Sequence, residues 1–150
     1  YHCFYYIFRC FAYYTDGEIV ENENNTLLTI LNRWTGNDEE LTIKTVEETN
    51  RWIEMQGEIS NEETINIMGN MVGYLASNDK FDTLNRENFL LDIRTIARSD
   101  GEFCEKERVW HDVMAEQLNI NIRVSQSSVN QISHQSQQIE RRPIGFMASR

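Results

Sequence analysis

The sequence predicts an all-α fold: a compact bundle of about six helices, built from two pseudo-repeated helical hairpins and followed by a flexible C-terminal tail. Three observations carry this. Breakers are scarce, with Pro143 the only proline and seven glycines in 150 residues, a composition that suits long helices. Apolar residues recur at three- and four-residue spacing through most of the chain, the period of an amphipathic helix. One short acidic phrase is written twice, TDGEIVENE at Thr15–Glu23 and SDGEFCEKE at Ser99–Glu107, each time between two such runs, and a weaker copy, QGEISNEE, lies at Gln56–Glu63. Self-similarity of this kind marks a supersecondary unit used again.

The elements follow in order. A first helix over about Tyr1–Tyr14 carries Phe4, Ile7, Phe8 and Phe11 on one stripe, and a second over about Glu21–Trp34 carries Leu27, Leu28, Leu31 and Trp34. The TGND turn at Thr35–Asp38 caps a third, more polar helix that runs to about Met55. Ser60 with Glu63 forms a capping box for the fourth, whose apolar line is Ile65, Met68, Val72 and Leu75; Gly69 and Gly73 within it lower helicity and leave room for close packing. A fifth helix over Thr83–Arg98 presents Phe89, Ile93, Ile96 and Ala97, and a sixth over Glu105–Leu118 presents Trp110, Val113, Met114 and Leu118. From Ser125 the chain turns to Ser, Gln and Asn with single aliphatics, too little apolar surface to fold alone. The expected organisation is therefore one helical domain over 1–124 and a linker or tail over 125–150.

Charge and cysteine usage bound the function. A net charge of −10 argues against nucleic-acid binding, which needs Lys and Arg gathered on one face; cations or a basic protein surface are the expected partners. Cys3, Cys10 and Cys104 lack metal-site spacing and read as reduced thiols of a cytoplasmic protein. No apolar stretch is long enough to span a bilayer. Opening on Tyr1 rather than on an initiator Met, the chain is expected to be a piece of a longer protein, with room upstream for an anchor or a further domain. Tyr5, Tyr6 and Tyr13 flank the first stripe and suggest a homodimer face.

The duplicated turn supports two roles. Gly17 and Gly101 suit the left-handed position that ends a helix, Ile19 and Phe103 tuck under the joint, and Glu21 and Glu105 fall where the next helix begins and its dipole favours negative charge. Acids at such ends commonly cap. Asp16 with Glu23, and Asp100 with Glu107, also sit seven apart across a tight turn, with Glu18 or Glu102 close by. Such oxygen clusters attract hard divalent cations. The spacing matches the second half of an EF-hand loop, but Ala12 and Tyr14, and Ile96 and Arg98, stand where the first carboxylates belong. A cation site therefore draws ligands from both copies or from water; its ion, Ca²⁺, Mg²⁺, Mn²⁺ or Zn²⁺, is left open. His111 shares a face with Glu107 and Cys104 in a softer zinc-type arrangement, although a packing histidine is the commoner use of that position. Trp34, Trp52 and Trp110 fit core or rim packing. No Ser-His-Asp order, phosphate loop or HExxH supports catalysis.

The phrase IARSDGEFCEKE, followed by an amphipathic helix ending in LNI, resembles the tellurite-resistance TerB-like family, and FAYYTDGEIVENE is similar to that family's opening turn. The resemblance covers about Tyr1–Ile122. It implies a compact all-α, non-enzymatic module of a bacterial stress, tellurite-resistance or metal-response system, with Asp16, Glu23, Asp100 and Glu107 in the place of its acidic turns. Similar domains occur beside a J-domain in co-chaperones, a setting in which the turns only cap helices and the module serves protein interaction. Gln56 replaces the Asp in the weak copy, so no site is assigned there.

Overall fold

The computed structural model describes residues 1–13, 21–99 and 103–125, without the side chains of 13 and 21–23. The described residues form six helices and no strand: α1 His2–Tyr13, α2 Glu21–Trp34, α3 Glu39–Gln56, α4 Asn61–Ala76, α5 Thr83–Ala97 and α6 Glu105–Gln117. Residues 14–20 and 100–102, which hold the Asp-Gly-Glu of both full copies of the acidic turn, and the tail from 126 onward lie outside the described residues.

α1 is the centre of the bundle, packed against α2, α3, α4 and α5. Five successive residues, Phe4 to Phe8, are buried, and so are Phe11 and Ala12. A helix apolar nearly all round belongs inside. Phe4 lies against Trp34 of α2 (ring centroids 4.5 Å apart), against Phe81 in the α4–α5 loop and against Phe89 of α5 (both 5.7 Å), while Phe8 meets Phe89 at 5.5 Å. Tyr5 and Tyr6 are buried too, and the Tyr5 hydroxyl donates to Asn50 Oδ1 of α3 at 3.1 Å. These two rings are spent inside the domain and form no dimer face; Tyr13's side chain lies outside the described residues.

Local signals explain the helix boundaries. In the TGND turn, Gly36 (φ 73°) and Asn37 (φ 64°) are both left-handed, the conformation Gly and Asn tolerate best, and Asp38 accepts the Leu41 amide as N-cap of α3. Thr35 and Thr42 share a buried hydroxyl contact of 2.7 Å, and Thr42 donates to Asn32 Oδ1, so the α2–α3 corner is stitched internally. Ser60 and Asp82 cap α4 and α5 in the same way through the Glu63 and Asn85 amides. At the opposite ends, Arg86 of α5 donates to the carbonyls of Ala76, Phe81 and Leu118 at 2.7–3.0 Å. One guanidinium thus closes the C-terminal ends of α4 and α6, where its charge complements both dipoles.

Two expected stripe residues, Val113 and Ile65, are exposed, and Leu28 is only partly buried. Val113 is 52% exposed, because the buried side of α6 runs through Glu107, His111, Met114 and Leu118, and a 3.6-residue turn carries Val113 round to the far side. Ile65 lies at the edge of the Met68–Val72–Leu75 line and is 38% exposed. The chain beyond α6 stays folded through Ser125: Ile120 is buried, Ile122 and Val124 pack on the core, and Ser125 itself, expected to begin the tail, is buried.

The α4 glycines separate in kind. A methyl group on Gly69 would reach Gln117 Nε2 at 4.0 Å, whereas nothing lies within 4 Å of one on Gly73. Gly73 therefore serves no close packing, and its backbone is ordinary helix on an exposed face. Gly73→Ala is expected to stabilise the domain by about 1 kcal/mol, read as a rise of roughly 2–4 °C in melting temperature; an unchanged or lower value would show a packing role for this glycine.

Candidate functional site

Of the six carboxylates expected around a cation, Asp16, Glu18, Asp100 and Glu102 lie outside the described residues, and Glu23 falls in the first turn of α2 with its side chain outside them. Glu107 is fully buried at the third position of α6, where its Oε1 accepts the Cys104 amide at 3.3 Å, the carboxylate half of a capping box. Around it, Phe103 is buried beneath the guanidinium groups of Arg98 and Arg108, centred 5.5 and 5.4 Å from its ring. The elements that flank the two turns meet directly: Phe11, near the end of α1, packs edge-on against Trp110, one turn after Glu107, at 5.9 Å and 87°. Among the described residues, no group of three or more His, Cys, Asp and Glu side chains is placed to hold a metal ion.

His111 is engaged on both ring nitrogens and is not a zinc ligand. Arg94 of α5 donates to Nε2 at 2.8 Å, and because a guanidinium only donates, Nδ1 carries the proton and gives it to Asp112 Oδ1 at 3.0 Å. The Asp112 carboxylate also accepts the amides of Val124 and Ser125, each at 2.8 Å. This relay ties α5, α6 and the last described segment into one polar knot in an apolar interior. Burial, then the charges of Arg94 and Arg123, hold the His111 imidazole below its ordinary pKa against the pull of Asp112. Burial alone would raise the Asp112 carboxyl, but the hydrogen bonds from His111, Ser125 and Val124 outweigh it and hold it low. The pair is thus a neutral imidazole beside a carboxylate.

A cleft of about 390 Å³ opens on another side, between α1, the α3–α4 connection and α6. Tyr6, Trp52 and Trp110 supply aromatic wall, Ile53 and Ile59 aliphatic wall, and Arg9 of α1 a half-buried cation; Glu58 stands exposed at the lip. The first residues of the weak copy of the turn, Gln56 to Ile59, form that lip, and Gly57 there has φ 70° and ψ −159°, a conformation essentially confined to glycine. Cys10 also borders the cleft, with its thiol pushed by burial to about 12, which makes it unreactive. Sequence reasoning missed this site, because its walls come from three separate stretches, 6–10, 52–64 and 110, and Trp52 read as a packing residue. The one signal present was the Gln56-Gly57-Glu58 departure from the acidic repeat.

Compared with family models, curated proteins and solved structures, the chain matches none of them.

The knot has a defined pH dependence. Folding lowers the pKa of His111, so the unfolded chain takes up a proton first, and stability is lost as pH falls below about 6.5, the ordinary value for histidine. The melting temperature is expected to drop between about pH 7 and 5.5. His111→Gln is expected to be less stable at neutral pH by about 1–3 kcal/mol, the cost of disrupting a buried hydrogen bond, yet to show a shallower slope across that window. An equal slope in wild type and variant would contradict the assignment.

Proposed function

We propose that this chain is a non-enzymatic, TerB-like helical module of a bacterial stress or metal response, working in the cytoplasm, which takes up a divalent cation, a basic protein partner or both through its duplicated acidic turns. The observation that supports this most is the contact of Phe11 with Trp110: the helix entering the first turn touches the helix leaving the second. Carboxylates repeated in order beside two helices that touch suit a hard cation, which six or more oxygens satisfy best. The net charge of −10 favours the same cations, and basic partner surfaces, by long-range attraction.

A second reading is that the acids only cap helices and the module is a structural interaction domain, of the kind found beside co-chaperones. The Cys104 amide bonded to Glu107 favours it for that one residue, since a carboxylate spent on a helix end has less to offer a metal.

Thermal melting with Ca²⁺, Mg²⁺, Mn²⁺ and Zn²⁺, on wild type and on the Asp16→Asn, Asp100→Asn double variant, separates the two. A bound cation at a hundredfold excess over its Kd stabilises by about 2.7 kcal/mol, a rise of roughly 5–10 °C, and the rise is expected to vanish in the double variant. No response to any of the four ions leaves the capping role alone.

A further inference from the structure

The cleft beside the α3–α4 connection is not used by the reading above. Its size, about 390 Å³, falls in the range of small-molecule sites, which join apolar walls to a few placed polar groups. Trp52 is 37% exposed although its ring is held edge-on to buried Tyr6 at 5.6 Å and 72°. A tryptophan fixed by packing on one edge and open on its remaining surface is a rigid platform on which a flat ring stacks. The lip beside it turns through the glycine-only conformation of Gly57, and backbone of that kind gathers at ligand sites.

The polar groups of the cleft divide into those already used and those left over. The Arg9 guanidinium is engaged by the Tyr5 hydroxyl, the Tyr6 hydroxyl by the Cys10 thiol, and Thr64 donates to the Ser60 carbonyl at 3.1 Å. Glu58 stands exposed at the lip, where solvent screens it. With Arg9 engaged and Glu58 screened, neither charge selects a ligand of opposite sign, and the net charge of −10 opposes an anion. Gln56 and Asn61 are different. Both line the cleft, both are exposed, and their side-chain amides make no hydrogen bond among the described residues. Each amide carries an acceptor beside two donors, the pattern that pairs with an amino group next to a ring nitrogen.

We propose that this cleft binds a neutral, flat aminoheterocycle of the adenine type, its face on Trp52 and its amino edge toward Gln56 and Asn61. The acidic turns take no part, so the Asp16→Asn, Asp100→Asn double variant keeps this binding whatever becomes of its cation response.

Isothermal titration of the full chain with adenosine tests the proposal, set against purine riboside, which lacks the amino group, and adenosine monophosphate, which adds negative charge. Saturable one-to-one binding of adenosine is expected, at least about tenfold tighter than either analogue. Trp52→Leu is expected to weaken it about tenfold while the melting temperature holds. The Gln56→Ala, Asn61→Ala double variant, changed only at exposed positions, is expected to lose the preference for adenosine over purine riboside. Equal affinity for all three ligands, tighter binding of the monophosphate, no saturable heat with adenosine, or undiminished affinity in Trp52→Leu would overturn the proposal.

Discussion

The burial of α1 is the constraint on which the rest of the structure depends. Each of α2, α3, α4 and α5 touches it, and its Phe4, Phe8 and Phe11 link aromatic rings from α2, α5, α6 and the α4–α5 loop. Rings of that size dominate core energetics and prefer tilted or edge contacts, which the T-shaped Phe11–Trp110 pair adopts. The same helix supplies both candidate sites: its end leads into the first acidic turn, and its Tyr6, Arg9 and Cys10 border the cleft. Whatever binds at either place acts on the helix that holds the domain together.

Among the described residues, several charges inside the bundle fasten separate elements. Asp92 of α5 accepts the Trp34 indole N–H at 2.7 Å and faces Arg33 at 3.4 Å, tying α5 to α2; burial raises its carboxyl, and these two partners oppose the rise. Arg86 closes two helix ends at once, and the Arg94–His111–Asp112 knot holds the segment after α6. Removing one partner would leave the other buried and unmet, which costs more than a satisfied bond contributes. Such fasteners select one arrangement of apolar helices that could otherwise slide past each other.

Helices were legible because their signals are local. Period, caps and scarce breakers mark α1 to α6 to within a residue or two, and the Phe4–Phe11 stripe, Ser60 cap and TGND turn all stand as the residues imply. What failed was finer. Val113 and Ile65 fit a three-or-four spacing that does not say which of two adjacent stripes is buried, since that depends on the neighbouring helix. Tyr5 and Tyr6 seemed available for a partner because a hydroxyl reads as surface, yet Asn50 stands 45 residues on to accept one of them. The same limit hid the functional chemistry. No spacing announces that Arg94 will meet His111, or that Arg9 and Trp52 will share a cleft. Of the six carboxylates expected around a cation, only Glu107 has a described side chain, and it is buried.

Chemical denaturation of Phe8→Ala, followed by tryptophan fluorescence and far-UV circular dichroism, tests the central role of α1 most directly. Phe8 is fully buried, and truncating such a ring costs about 3–5 kcal/mol. If α1 is the common core, the two probes keep one shared midpoint, shifted by that amount. A loss under about 1 kcal/mol, or a separate later transition in which α5 and α6 stay folded, would contradict the account.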